Sequence, residues 1–357
     1  MSFQTFKNEF EKISVVENDN SVTKSPIVSV CIQTYNHVNY IEKCLDSILS
    51  QQTDFDFEIV LGDDDSKDGT RKICEKYALK YPSKIRLLYH KRANNIVIKG
   101  KPSGRFNMLY NLYTANGKYI ALCEGDDYWI DECKLQKQFD FLEKHTNLIA
   151  CHHWQRNAIK IGEKYVEVES PKDGYYSKHI AGVKELFANQ VRLKSRTLMF
   201  KNVINISYFS YYFKDVAFGD VPLSFILGKH GHFGFINQEM AVYRITFKGV
   251  STAGLKELGT EKFRVEHFKN WIEIWDKANI FYSFKYNKEA VDTVKFFFLK
   301  IITNSPLNFL ALLNILSYNI KNRELSFLKT FPVSVYIAKT FGKMYLKKVY
   351  KTLIFKR

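Results

Sequence analysis

Lys118-Tyr119-Ile120-Ala121-Leu122-Cys123-Glu124-Gly125-Asp126-Asp127-Tyr128-Trp129 is the stretch on which the fold turns. Residues 118–123 form a short, almost continuous apolar run, the pattern of a strand buried on both faces. That run leads directly into Glu124, Asp126 and Asp127. Carboxylates packed so closely repel one another unless positive charge sits between them. Glu124 and Asp126 are two apart, so in extended chain both project to one side. A divalent cation that already carries phosphate oxygens needs only one or two protein carboxylates. A solvated acidic turn is the alternative, and this stretch alone leaves both open.

Working outward, the same strand-then-polar-turn grammar recurs. Residues 27–32 read as a strand followed by Gln33-Thr34-Tyr35-Asn36, and residues 40–51 as a helix with Ile41, Leu45, Ile48 and Leu49 on one face. Residues 57–61 form a second buried strand, ending in Gly62-Asp63-Asp64-Asp65-Ser66-Lys67-Asp68-Gly69-Thr70. Asp68 is placed to cap a helix over 70–81 that Pro82 stops. A third strand follows at 85–89, a polar loop at 92–104 and helices at 105–115 and 132–144, with another strand at 148–152. This rhythm predicts an α/β fold, a parallel sheet with helices on both faces. Ligands of such sheets bind outside the carboxyl ends of the strands, where strand order switches. Three of those ends carry polar clusters (Thr34-Tyr35-Asn36, Asp63–Asp65 and Glu124–Asp127), and their convergence argues for a site.

Residues 1–26 read as a lead-in helix or loose arm. After His153 the texture changes: strands are expected at 164–168 and 196–200, short helices at 182–189 and 221–229, and a hairpin from 232–236 and 240–245. Helical periodicity dominates from about residue 257. The expected division is therefore 27–250, with a nucleotide-binding half (27–153) and an acceptor-side half (154–250), followed by a basic helical region at 251–357.

The 357 residues, 46% hydrophobic and 25% charged, suit a globular chain with ample core. The first residues do not read as a signal peptide and no 18-residue apolar run occurs, so a cytoplasmic location is expected. All six cysteines lie between Cys31 and Cys151 without a Cys-x-x-Cys pair, which suggests buried thiols rather than zinc ligands or disulfides. The net charge is +16, and residues 281–357 hold 14 Lys/Arg against 3 Asp/Glu. That excess, interleaved with apolar runs, points to peripheral contact at the inner face of a membrane. The competing reading is an ordinary appendage with a solvated basic rim. Nucleic acid is not expected, since no helix-turn-helix, zinc or ribonucleoprotein signature is present.

Several segments together resemble the family 2 inverting glycosyltransferases of GT-A fold. They are Val28-Ser29-Val30 through Tyr35-Asn36, Ser47–Gln51, Phe57-Glu58-Ile59-Val60, Asp63-Asp64 with Ser66 and Asp68-Gly69-Thr70, and Gly117–Ile120 with Glu124-Gly125-Asp126-Asp127. The likeness covers residues 27–250. It implies a nucleotide-sugar donor, a UDP-sugar in the usual case, and a glycan or lipid-linked acceptor in bacterial cell-surface polysaccharide biosynthesis. Thr34 and Tyr35 would line the nucleoside pocket and Asp64 would bind uracil or ribose. Asp126, supported by Glu124, would hold Mn²⁺ or Mg²⁺ at the diphosphate, with Asp127 beside them. Arg105, with Lys101 as a rival, would contact phosphate or ribose, and Asp220 would be the general base, with Asp215 next in line. Trp129 would stack on the acceptor sugar or sit in the core. Departures are Gln33 for proline or threonine, Asp65 for glycine, Glu124 for the first aspartate of Asp-x-Asp, and Thr246 where many relatives have histidine.

Structural expectations compete at several positions. Asp63 and Asp65 suit a turn before a helix, His152-His153 a packed pair, and Lys134–Gln138 a solvent-facing helix. A sugar nucleotidyltransferase or dinucleotide oxidoreductase would need a glycine-rich loop after the first strand, which Gln33–His37 lacks. A membrane- or nucleic-acid-associated scaffold without transferase activity leaves the acidic strand ends unexplained.

Overall fold

The computed structural model describes residues 2–170, 179–203, 205–246 and 254–304. Two compact units divide the chain, Met1–Gly249 and Val250–Arg357.

The first unit begins with α1 (Phe3–Phe10) and the short strand β1 (Val16–Glu17). The lead-in segment is packed rather than loose. Phe6 is fully buried, and Phe3 and Phe6 lie against Tyr110, Tyr113 and Phe106. The repeating portion follows as β2 (Val28–Thr34), α2 (Ile41–Leu49), β3 (Phe57–Asp63), α3 (Thr70–Lys80) and β4 (Ile85–Tyr89). The loop expected after it holds a single 3₁₀ turn at Arg92–Asn94 and a two-residue ribbon, β5 (Val97–Ile98) with β6 (Lys101–Pro102). Then come α4 (Arg105–Thr114), β7 (Tyr119–Glu124), β8 (Tyr128–Trp129), α5 (Lys134–Lys144) and β9 (Leu148–Ile161). The remainder is β10 (Lys164–Glu169), β11 (Ile180–Ala181), α6 (Val183–Phe187), β12 (Met199–Lys201), α7 (Ser207–Tyr212), α8 (Asp220–Leu227) and β13 (His232–Arg244).

The strands form one mixed, mostly parallel sheet ordered β1-β4-β3-β2-β7-β12-β9-β13-β11, with β10 on β9 and β8 on β13. β4, β3, β2 and β7 run parallel. β12 is antiparallel to both β7 and β9, and β13 is parallel to β9. The chain leaves β2 for β3 and β4 on one side and returns as β7 on the other, so strand order switches between β2 and β7. Register places Thr34 opposite Asp63 and Gln33 opposite Glu124, so the three polar strand ends meet.

Two expectations need correcting. The hairpin after residue 232 is a single long strand, β13, because register shifts between Ile236 and Ala241 absorb Asn237-Gln238 without reversing the chain. The strand expected at 196–200 starts later, because Ser195–Thr197 forms a 3₁₀ turn. All six cysteines are free and five are buried.

In the second unit, α9 (Gly254–Phe281) is broken at Gly259, which has φ 73°, and α10 (Asn287–Asn304) packs on it through Trp271, Trp275 and Phe297. Most of the basic tail lies outside the described residues. Among those described, no helix is long and apolar enough to cross a membrane.

Candidate active site

At the end of β3, Asp64 is almost fully buried. Its Oδ2 accepts from Arg92 Nη1 at 2.6 Å and Asn95 Nδ2 at 2.9 Å, while Oδ1 is buried with no partner. Burial raises the Asp64 carboxyl above its ordinary range, against the pull of Asn95 and Arg92. The Arg92 guanidinium lies 4.0 Å from the Tyr35 ring centroid, and that ring is 39% exposed. A flat, half-open ring backed by a cation thus adjoins a carboxylate oxygen lacking a donor, which suits a planar heterocycle with an N–H. Arg92 was not singled out in the sequence. The available signal was its place in the loop that follows the third parallel strand.

Asp63 is fully buried. Its Oδ2 accepts from Arg71 Nε at 2.6 Å, and Arg71, Lys67 and Lys91 surround Asp65. Asp68 accepts from the backbone N–H groups of Val38 and Thr70, tying the Tyr35 loop to the start of α3. These aspartates are structural, as their turn chemistry suggests.

At the end of β7, Gly125 allows close packing. A Cβ there would lie 2.6 Å from Thr34 Oγ1 and 2.8 Å from His37 Nδ1. Glu124 Oε1 accepts from Ser195 Oγ, and its Oε2 is buried without a partner. Burial raises the Glu124 carboxyl, opposed by Arg196 and reinforced by Asp126 and Asp220, so these four charges share one neighbourhood. No hydrogen bond from a described residue reaches the Asp126 carboxylate, and His37 Nε2 lies 4.0 Å from its Oδ2. Burial lowers the His37 pKa and favours the neutral ring. No group of three or more His, Cys, Asp or Glu among the described residues is placed to hold a metal unaided. A carboxylate without donors beside an orphaned carboxylate oxygen nevertheless fits a cation that shares its coordination with a diphosphate.

Asp127 has another role. Its carboxylate accepts from Arg196 Nε through Oδ2 and from the Arg244 N–H at 2.9 Å through Oδ1, and it is 1% exposed. Arg196 also donates to Gln155 Oε1 and lies over Tyr243, while Arg244 Nη1 donates to the Asp126 carbonyl at 2.8 Å. Asp127 therefore bolts the acidic turn to β13 and to the Ser195–Thr197 turn, with both carboxylate oxygens engaged.

Arg105 and Lys134–Gln138 depart from expectation, and Trp129 takes the core alternative. Arg105 is buried, its guanidinium donating to the carbonyls of Phe213, Val216 and Phe218 at 2.9–3.1 Å, so it is a strut and not a phosphate ligand. Burial lowers its pKa to about 10. Trp129 sits in the core at 3% exposure, with Lys134 Nζ 3.9 Å from its ring centroid, and offers no face to a sugar. Lys134 and Gln138 are buried rather than solvent-facing. Lys134 Nζ donates to Gln138 Oε1 at 2.6 Å, and burial pushes the amine down to about 7. His152 and His153 are both buried, with the His152 ring centroid 5.1 Å from that of Phe235.

Asp220 opens α8 at the end of the segment that Arg105 holds. Its Oδ1 accepts from the Val221 N–H at 2.9 Å, and Pro222 falls in the first turn. Burial raises its carboxyl, opposed chiefly by Arg196.

The sequence matches the model of "Glycosyl transferase family 2" over residues 29–217, more than half the chain. The chain belongs to glycosyl transferase family 2. Among curated relatives, the putative glycosyltransferase EpsE of Bacillus subtilis is 35% identical over 126 residues, covering 35% of this chain and 42% of EpsE. The putative teichuronic acid biosynthesis glycosyltransferase TuaG of B. subtilis is 32% identical over 121 residues, 34% of this chain and 44% of its own. These alignments span less than half of each relative's length. Solved structures share the fold at low identity. S. aureus TarS in complex with UDP-GlcNAc superposes with TM-score 0.51 at 17% identity, covering 90% of this chain and 92% of that one. A mannosyltransferase from Pyrobaculum calidifontis, in complex with GDP-Man and Mn²⁺, gives TM-score 0.53 at 16% identity, covering 98% and 89%.

Proposed function

We propose that this chain is an inverting glycosyltransferase that moves a sugar from a nucleotide-sugar, a UDP-sugar in the first instance, to a glycan or lipid-linked acceptor of surface polysaccharide. The observation that carries the reading is the meeting, at the β2/β7 switch point, of the Tyr35–Arg92–Asp64 pocket with the donor-free Asp126 carboxylate. The base would lie against Tyr35 with Asp64 Oδ1 accepting its N–H, and Thr34 lining the pocket. Asp126, with Glu124 beside it, would hold Mn²⁺ or Mg²⁺. The cation, when bound, neutralises the diphosphate leaving group.

Inversion is a single displacement. The acceptor oxygen bonds to the anomeric carbon as the bond to the diphosphate oxygen breaks, and the electron pair leaves with the nucleotide. The acceptor proton needs a base on the opposite face, and Asp220 is assigned that role. Burial raises its affinity for a proton, which suits the task. Arg105 sets where Asp220 stands by holding the segment before it. The relatives' roles in teichuronic acid and related polymers support the acceptor class, and the basic tail supports a partner at an anionic lipid surface. Calorimetry with a panel of UDP- and GDP-sugars, with and without Mn²⁺, tests the reading. Metal-promoted binding of one nucleotide class supports it, and no binding by any member of the panel overturns it.

A further inference from the structure

The imidazole of His37 stands between Thr34 and Asp126. Its Nδ1 is 3.2 Å from Thr34 Oγ1 and its Nε2 is 4.0 Å from Asp126 Oδ2. Backbone contacts hold the residue in place. The His37 N–H donates to Thr70 Oγ1 at 2.7 Å, and its carbonyl accepts from the N–H groups of Tyr40 and Ile41 at 2.8 and 2.9 Å. Gly125 supplies the room, since any Cβ there would press on Thr34 Oγ1 and His37 Nδ1.

The gap between Nε2 and the carboxylate is too long for a hydrogen bond. It matches a different object. Two ligand atoms each about 2.1 Å from one small divalent cation stand at most about 4.2 Å apart. In the tautomer that donates Nδ1–H to Thr34 Oγ1, the unprotonated Nε2 is the ring nitrogen on which the 4.0 Å approach to Asp126 is measured. Metal-bound imidazoles use this arrangement, one nitrogen tied to a polar partner and the other free.

We propose that His37, through Nε2, is a direct ligand of the cation held by Asp126. The proposal rests on the donor-site reading above, and Thr34 then serves as the partner that orients the ring. One imidazole among oxygen ligands shifts preference from Mg²⁺ toward first-row transition ions such as Mn²⁺ and Co²⁺.

The test uses the full chain labelled with ¹⁵N-histidine, loaded with Mn²⁺ and UDP, and read by pulsed electron paramagnetic resonance. The expected result is a directly bound ¹⁵N coupling that is absent from His37→Gln, with Mn²⁺ affinity in the presence of UDP lower by at least about tenfold. An unchanged metal-free melting curve shows that the variant folds, and the wild-type spectrum is decisive without it. Wild-type protein that binds Mn²⁺ and UDP but shows no histidine nitrogen overturns the ligand assignment and leaves the donor site standing. A coupling that persists in His37→Gln also overturns it. Wild-type protein that binds no Mn²⁺ with UDP overturns the donor-site reading and this inference together.

Discussion

Asp126 and Asp127 are adjacent, yet replacing each by alanine should have very unequal consequences for stability. The Asp127 carboxylate is 1% exposed and engages Arg196 Nε and the Arg244 N–H, while no described donor reaches the Asp126 carboxylate. Removing one partner of a buried ion pair costs about 3–5 kcal/mol, because the other charge stays buried. Glu124 and Asp220 lie close enough to Arg196 to offset part of that, which favours the lower end. The orphaned Arg244 N–H adds about 1 kcal/mol or more. A total near 4 kcal/mol lowers the melting temperature of a unit this size by roughly 8–16 °C, at about 2–4 °C per kcal/mol. Asp126→Ala should stay within about 0.5 kcal/mol of wild type, since the change removes a carboxylate that repels its neighbours. Thermal unfolding followed by circular dichroism in chelator, at pH 7.5, separates the two without metal binding as a confounder. An Asp127→Ala protein melting within 2–3 °C of wild type, about 1 kcal/mol, would refute the bolt assigned to this carboxylate. So would an Asp126→Ala protein that falls as far.

Asp220→Asn should fold and bind donor normally yet transfer sugar about 10²–10⁴-fold more slowly; transfer within a few-fold of wild type moves the base elsewhere, with Asp215 next. Because burial raises the Asp220 carboxyl, wild-type kcat/KM should fall with acid through a value above the ordinary 3.8, and an acid limb at or below that value counts against the assignment. Arg92→Ala should weaken nucleotide binding by removing both the backing of Tyr35 and a partner of Asp64, measured by calorimetry with UDP; unchanged affinity would place the base elsewhere. His90 is fully buried, and burial lowers its pKa from 6.5 to about 4, so the unfolded chain protonates first as pH falls. Its contribution is intact above pH 6.5 and is lost progressively toward pH 4, roughly 3 kcal/mol in all; urea midpoints of wild type and His90→Gln at pH 7.5 and 5 should show the steeper loss in wild type, and equal losses sink the argument. Deleting residues 305–357, which hold 10 Lys/Arg against 1 Asp/Glu, should release the protein from anionic liposomes while leaving UDP binding intact; liposome binding equal to that of the full chain would assign the contact elsewhere.

Near-continuous apolar runs and period-3.6 patterns were enough to place β2, β3, β4 and β7 and the helices between them, because burial on both faces leaves no alternation in the strands. The convergence of Thr34, Asp63 and Glu124 was legible for the same reason, since parallel strands bring their carboxyl ends to one edge. Which carboxylate faces outward was not legible. Asp126 and Asp127 are the same residue type one position apart, and what separates them is Arg196, 69 residues on, and the Arg244 backbone, 117 residues on. Arg105 read as a phosphate or ribose contact because the family resemblance implied one, yet three carbonyls from residues 213–218 claim its guanidinium. Trp129 was open between surface and core, and Lys134 read as solvent-facing, because periodicity in so short a span does not say which neighbours cover it. Local sequence determined the strand ends and their chemistry, because backbone pattern and burial act over a few residues. Only the tertiary structure decided the direction and pairing of each charge, because buried ion pairs and struts join segments that no local pattern connects.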